Sequence, residues 1–299
     1  MTREGYEEIH YSLFSGNSEF LGCAWALSST ELITCAHVTA DPSIDVVVRR
    51  SFCKRDEEIF VISRTTGLGD PLYDASRLNF KGPAHSMLPT PSGQGICDPT
   101  TGQRFTVFGF PVDKPNLGDF ANYEIGRQLP NGWFQVEIYD PRGAELREGY
   151  SGAPAWDPVL QCVIGIVVGV DPMRRQQIAY IIPPSVLNEQ IGSPPSNKFP
   201  YFGPVFHERI AKAALCGFEL RRAERYLSSA ATAVADGVQR YWIYTCLGEF
   251  SPDRSALETL RFAASVDRDV FAVKGALEAL SRFPNEDNGG THDSAYRSA

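Results

Sequence analysis

The chain predicts an all-β domain followed by a small all-α domain, on three observations. Short apolar runs recur between turn signals through residues 1–190. A proline- and serine-rich stretch interrupts that texture at 191–204. Beyond it the sequence becomes rich in alanine, leucine and arginine with helical spacing.

The apolar runs fall at 20–28, 31–38, 44–49, 58–63, 104–110, 133–139, 162–170 and 178–182. Glycine and proline clusters such as Gly67-Leu-Gly-Asp-Pro71 and Pro89-Thr-Pro-Ser-Gly93 punctuate them. Many short strands at this spacing point to a barrel or a sandwich. Strand–helix alternation is absent from the pattern, which disfavours a doubly wound α/β sheet. After the linker 191–204, spacing predicts helices over 205–216, 218–235, 238–249, 252–265 and 268–283. Ser251 before Pro252 is an N-cap signal, Asp267 is expected to cap the last helix, and Gly237 separates two others. The tail, residues 284–299, reads as disordered. Cys246-Leu-Gly-Glu-Phe250 resembles Ala279-Leu-Ser-Arg-Phe283 at an offset of 33, and Ile243 corresponds to Ala276. Helix pairs of that period stack in HEAT-type repeats; a plain helical bundle is the competing reading.

Composition excludes several classes. A formal charge of −8 with only short basic pairs, Arg49-Arg50 and Arg174-Arg175, argues against nucleic acid as a partner. Seven cysteines at 23, 35, 53, 97, 162, 216 and 246 form no CxxC and no close Cys/His cluster, so structural zinc is not expected. Their odd number and the acidic, signal-free start predict reduced thiols in a cytoplasmic protein. No apolar run approaches the ~18 residues needed to span a bilayer, so no membrane partner is expected, and the valine-rich 163–170 reads as a buried strand. Walker, dinucleotide and His-Glu-x-x-His signatures are absent.

The chemistry concentrates in two segments. Gly149-Tyr150-Ser151-Gly152 holds a serine in a short turn, and Thr34-Cys35-Ala36-His37-Val38 holds a histidine at the end of an apolar strand. A hydroxyl becomes a nucleophile near neutral pH only if an adjacent base takes its proton. The bland readings are a turn serine and a core histidine. An α/β-hydrolase elbow fits poorly: Ser151 sits in Gly-x-Ser-Gly, and only His207 and His292 lie downstream.

These segments belong to a longer series of blocks. Gly22-Cys-Ala-Trp25 and Leu32-Ile-Thr-Cys-Ala-His37 lead, followed by Gly102-Gln-Arg-Phe-Thr-Val-Phe-Gly-Phe-Pro111. Gly149-Tyr-Ser-Gly-Ala-Pro154, Val163-Ile-Gly-Ile-Val-Val-Gly169 and Ala179-Tyr-Ile-Ile-Pro183 come after. Over residues 10–187 the chain resembles trypsin-like serine peptidases, closest in texture to bacterial intracellular ones fused to an interaction or effector module. The resemblance implies a chymotrypsin-like double β-barrel with its active site between the barrels. It implies peptide-bond hydrolysis through an acyl-enzyme, with no metal or cofactor. Ser151 would be the nucleophile, His37 the general base and acid, and the N–H groups of Gly149 and Ser151 the oxyanion hole. The nearest match to the family's acid is Asp74, in Asp74-Ala-Ser-Arg-Leu78; Asp70, in Gly-Asp-Pro, reads as a turn residue.

Val168, Gly169 and Val170 would line the primary pocket and pair with substrate backbone. Glu145 is either that pocket's base or a surface glutamate. Tyr150 stands where secreted trypsins keep an aspartate that pairs with a new N-terminus, so a constitutive or partner-controlled enzyme is expected; Ala153 replaces a commoner glycine. The implied partners are a protein or peptide substrate and a protein recruited by the helical module, in a setting of prokaryotic conflict or signalling. Two rivals stand beside this: a catalytically weak protease-fold binding protein, and a protease that only processes its own linker.

Overall fold

The computed structural model describes residues 6–52, 58–60, 63–66, 74–79, 95–111, 117–139, 144–169, 179–192, 204–215, 220–250, 254–266 and 267–283. The linker stretch 193–203, the cap at Ser251, Asp70, Val170 and the tail 284–299 lie outside them. Two compact units divide the chain, Met1–Pro200 and Tyr201–Ala299.

A short helix α1 (Tyr6–Ile9) runs directly into the first sheet. Its strands are β1 (His10–Ser15), β2 (Phe20–Ala26), β3 (Glu31–Thr34), β4 (Val46–Arg50), β5 (Glu58–Phe60), β6 (Ser63–Thr66) and β7 (Ser76–Asn79). Their spatial order is β5-β4-β1-β2-β3-β7-β6, antiparallel throughout. The edge strands β5 and β6 are adjacent in sequence, with only residues 61 and 62 between them. Three Cα steps of ~3.8 Å separate Phe60 from Ser63, so the two edges stand within about 11 Å of each other there and the sheet is curved into a half-barrel. Tyr11, Leu13, Trp25, Leu32, Ile33, Val48 and Leu78 are fully buried in its core. The apolar run 31–38 does not remain a strand: β3 stops at Thr34, and Ala36–Thr39 form a 3-10 turn closed by Val38 N–H to Cys35 O at 3.2 Å. That break places His37 on a turn at the strand's end.

The second sheet comprises β8 (Gly95–Ile96), β9 (Arg104–Gly109), β10 (Asp119–Gln128), β11 (Phe134–Ile138), β12 (Pro154–Asp157), β13 (Cys162–Val168) and β14 (Tyr180–Ile182). The order β12-β9-β10-β11-β14-β13 closes through the β12–β13 pairing, and β8 adds in parallel beside the start of β13. Every residue of β13 is buried, which explains its unbroken apolar run. The unit is the expected pair of β-barrels.

Aromatic packing joins the barrels. His10, Phe52, Phe108 and Phe120 pack around Tyr6, whose hydroxyl donates to Pro154 O at 3.1 Å and accepts the Phe108 N–H at 2.8 Å. His10 is fully buried there, its Nε2 2.9 Å from Phe108 O and its Nδ1 2.6 Å from Ser51 Oγ. Burial pushes the imidazole down to about 3, against the partial opposing pull of the Phe108 carbonyl. The neutral ring therefore favours the folded state above the unfolded value of 6.5, and that contribution is lost as pH falls toward 3. Over this window the linked loss is on the order of 4 kcal/mol. Urea midpoints measured from pH 7 to pH 4 should fall steadily, and His10→Asn should flatten that slope while lowering the plateau.

Within the same unit α2 (Pro184–Ile191) was not anticipated from periodicity, being only two turns long. Its signals are nevertheless present: Pro184 at the first position, the Asp98 carboxylate accepting Ser185 N–H at 2.8 Å, and Gly192 in the left-handed region at the end.

The second unit is helical: α3 (Pro204–Leu215), α4 (Leu220–Ala233), α5 (Gly237–Phe250), α6 (Arg254–Val266) and α7 (Val270–Leu280). The cap of α7 differs from expectation. Asp269, not Asp267, accepts the N–H groups of Phe271 and Ala272, because only the residue directly before the first helical position can reach them. Asp267 instead forms a two-point ion pair with Arg240, both bonds 2.9 Å. The segments related by the offset of 33 pack against each other: a Cβ on Gly248 would stand 2.4 Å from Ala279 Cβ, and Arg282 pairs with Glu249 at 3.0 Å.

Candidate active site

The pairing of β3 with β7 runs Thr34↔Ser76 and Leu32↔Leu78. Continued past the end of β3, this antiparallel register brings Asp74 beside the turn that carries His37. The carboxylate takes two bonds from one residue: Oδ1 accepts the His37 backbone N–H at 2.9 Å, and Oδ2 lies 2.6 Å from Nδ1. With a carboxylate as acceptor, Nδ1 is the donating nitrogen, and in the neutral ring the lone pair then lies on Nε2. The Asp74 side chain is 16% exposed and that of His37 is 50% exposed, so the acid is covered while the base faces open space.

Ser151 follows a turn in which Tyr150 N–H donates to Arg147 O at 3.3 Å and Gly149 has φ +102°. The bond and the positive φ at the third residue are those of a type II turn. A Cβ on Gly149 would stand 2.1 Å from Phe110 O, so this position admits glycine alone. Among the described residues, neither the Gly149 nor the Ser151 N–H donates to a protein acceptor. Among the described residues both donors are thus left open to a bound acceptor.

The first barrel clamps this turn. Ser151 O accepts Cys23 N–H at 2.8 Å, Thr34 Oγ1 donates to Cys23 O at 2.7 Å, and the Cys35 thiol donates to Val167 O at 3.2 Å. From the second barrel, Gly152 N–H donates to Val167 O at 2.8 Å. The backbone at Ser151–Gly152 thus lies against β2 and the end of β3, three residues before His37. The Ser151 hydroxyl accepts Gly169 N–H at 3.1 Å. Among the described residues no hydrogen bond joins it to the His37 imidazole, and its own proton is left to donate. Such bonds commonly tighten only when substrate binds.

Tyr150 holds the turn from below. It is fully buried, its ring fills the space where a Gly109 Cβ would stand, and its hydroxyl donates to Asp119 O at 3.2 Å. The clamp by Cys23, Thr34 and Cys35 and this anchor escape sequence reasoning, since their bonds to Ser151, Val167 and Asp119 join residues far apart in the chain. Val168 ends β13 and Gly169 follows it; a Cβ at 169 would crowd Ser151 Oγ at 2.5 Å. Glu145 is exposed, next to Leu146, whose N–H donates to the Tyr123 hydroxyl at 2.7 Å. Burial, with the Glu145 charge as a lesser cause, pushes the Tyr123 phenol up.

Cys35, His37 and Asp74 hold potential metal-ligand atoms within 4.8 Å of one another. Burial pushes the Cys35 thiol well up, and the Asp74 charge adds to it, so this sulfur stays protonated and bonded to Val167 O. The set fits a hydrogen-bonded relay better than a cation.

Gly149→Ala is expected to distort the turn and displace its N–H, so any turnover that depends on this donor should fall about 10²–10³-fold. Steady-state kinetics on a peptide ester checks this, with circular dichroism confirming that the barrels persist.

No family model matches the chain, and no curated protein does. Solved structures do resemble it. Human heparin binding protein aligns at 16% identity over 68% of this chain and 97% of its own, with a TM-score of 0.50. Kallikrein-related peptidase 10, solved with Zn2+, aligns at 15% identity over 65% of this chain and all (100%) of its own, TM-score 0.48. Neuropsin, a serine protease of mouse brain, aligns at 16% identity over 59% of this chain and 90% of its own, TM-score 0.46. At such identity the likeness of heparin binding protein bears on the fold alone, and the strand orders of the two sheets are those of a chymotrypsin-like double barrel. No helix among the described residues is long and apolar enough to cross a membrane.

Proposed function

We propose that the protein is a serine endopeptidase in which Ser151 attacks the scissile carbonyl, His37 shuttles the proton and Asp74 orients the imidazole. The observation carrying this reading is the two-point bond of Asp74 to the backbone and ring of one histidine, at 2.9 and 2.6 Å, beside a glycine-bound serine turn. A surface aspartate has no reason to satisfy both groups. The tetrahedral intermediate that collapses to the acyl-enzyme would hold its oxyanion between Gly149 and Ser151 N–H, and the substrate strand would lie along Val168 and Gly169. Glu145 is proposed as a contributor to preference for a basic side chain. The helical unit, read as HEAT-type, is proposed to recruit a protein partner or substrate in a bacterial cytoplasmic conflict or signalling system.

The Gly169 N–H bond to Ser151 Oγ supports a second reading, a protein that binds peptides in this cleft without cleaving them. A fluorophosphonate probe separates the two. Labelling of the wild type that disappears in Ser151→Ala supports the peptidase. A wild type that stays unlabelled, yet binds peptide, supports the binding protein. Products cut within 191–204 would point to self-processing.

A further inference from the structure

The second barrel contains a pair of thiols for which the proposed chemistry has no use. Cys162 opens β13 and is fully buried; Cys97, just beyond β8, is 6% exposed. The parallel register Cys162↔Gly95 and Val163↔Ile96, continued by the Cys97 N–H bond to Val163 O at 3.1 Å, fixes both backbones. Their sulfurs are 2.7 Å apart. An S–S bond is about 2.05 Å long, so closure requires a movement well under 1 Å. Few arrangements of two unbonded thiols bring sulfur this near.

We propose that Cys97 and Cys162 are a disulfide-forming site that takes a hydroperoxide oxidant, independently of whether Ser151 is catalytic. One sulfur, as thiolate, attacks a peroxide oxygen; the O–O bond breaks and hydroxide leaves, taking up a proton as water. The second sulfur then displaces the hydroxyl of the sulfenic acid as a second water. The S–S bond forms, the two thiols are oxidised by two electrons, and hydrogen peroxide is reduced to water. Burial pushes the Cys162 thiol well up, so the reaction calls for excess oxidant and long incubation. The bridge would join residues 65 apart in sequence, tying β8 to β13, the strand whose far end reaches Ser151.

The test uses the full-length protein. It is treated with hydrogen peroxide while folded, then denatured, alkylated and mapped by mass spectrometry before and after dithiothreitol. The expected result is a peptide linking Cys97 to Cys162, lighter than the two free peptides by two hydrogens and released by the reductant. The oxidised protein should melt higher by roughly 10 °C. Cys97→Ala, which keeps β13 intact, should lose that shift. Recovery of both cysteines as alkylated or singly over-oxidised residues, or their linkage to other cysteines, overturns the proposal. Because the peptide map is made on the wild type, a variant that fails to fold does not blur the result.

Discussion

Ser151→Ala should lower kcat/KM on a cleavable peptide about 10⁶-fold while leaving the fold in place. The hydroxyl is the only atom in the turn able to form the acyl bond, so no neighbour can take over its role. Structurally the change is small: the side chain loses its bond from Gly169 N–H at 3.1 Å, whereas the backbone bonds to Cys23 and Val167 remain. The remaining oxyanion donors leave a residual rate about 10³-fold above water. Active-site titration with a chromogenic peptide ester, run beside thermal melts of both proteins, measures the two effects separately. Unchanged hydrolysis in the alanine variant would end the assignment of Ser151.

Asp74→Asn is expected to cost about 10⁴-fold in kcat with KM nearly constant. Asparagine is isosteric, but its amide can present a donor where Oδ2 now accepts from Nδ1. The imidazole then carries its proton on the nitrogen that should remove one from serine. The bond from His37 N–H to the other carboxylate oxygen persists, so the 3-10 turn stays formed. A kcat loss confined to near-neutral pH, partly recovered at alkaline pH, distinguishes a tautomer effect from misfolding. A loss below tenfold would remove Asp74 from the mechanism.

The turn chemistry was legible because it is local. Gly149 and Gly152 sit at positive φ, +102° and +84°, and glycine beside a candidate nucleophile is visible in any sequence. Asp74 was harder: its proximity to His37 comes from the register of two strands separated by some forty residues, so only a resemblance pointed to it. Strand β10, the longest among the described residues, escaped periodicity because Asp119, Asn122, Glu124 and Arg127 dilute its apolar pattern. The cap of α7 was misplaced by two residues, since Asp267 and Asp269 carry equal propensity and only the ion pair with Arg240 decides between them.

The bonds of Tyr6 to Pro154 and Phe108 bear on how the polypeptide is made. A ribosome releases the amino terminus first, yet its phenol finds both partners only after residue 154 has emerged. During translation the leading barrel must therefore wait with Tyr6 and His10 uncovered, a sticky face that a chaperone can shield. An isolated fragment ending before β8 should, by the same logic, precipitate rather than fold.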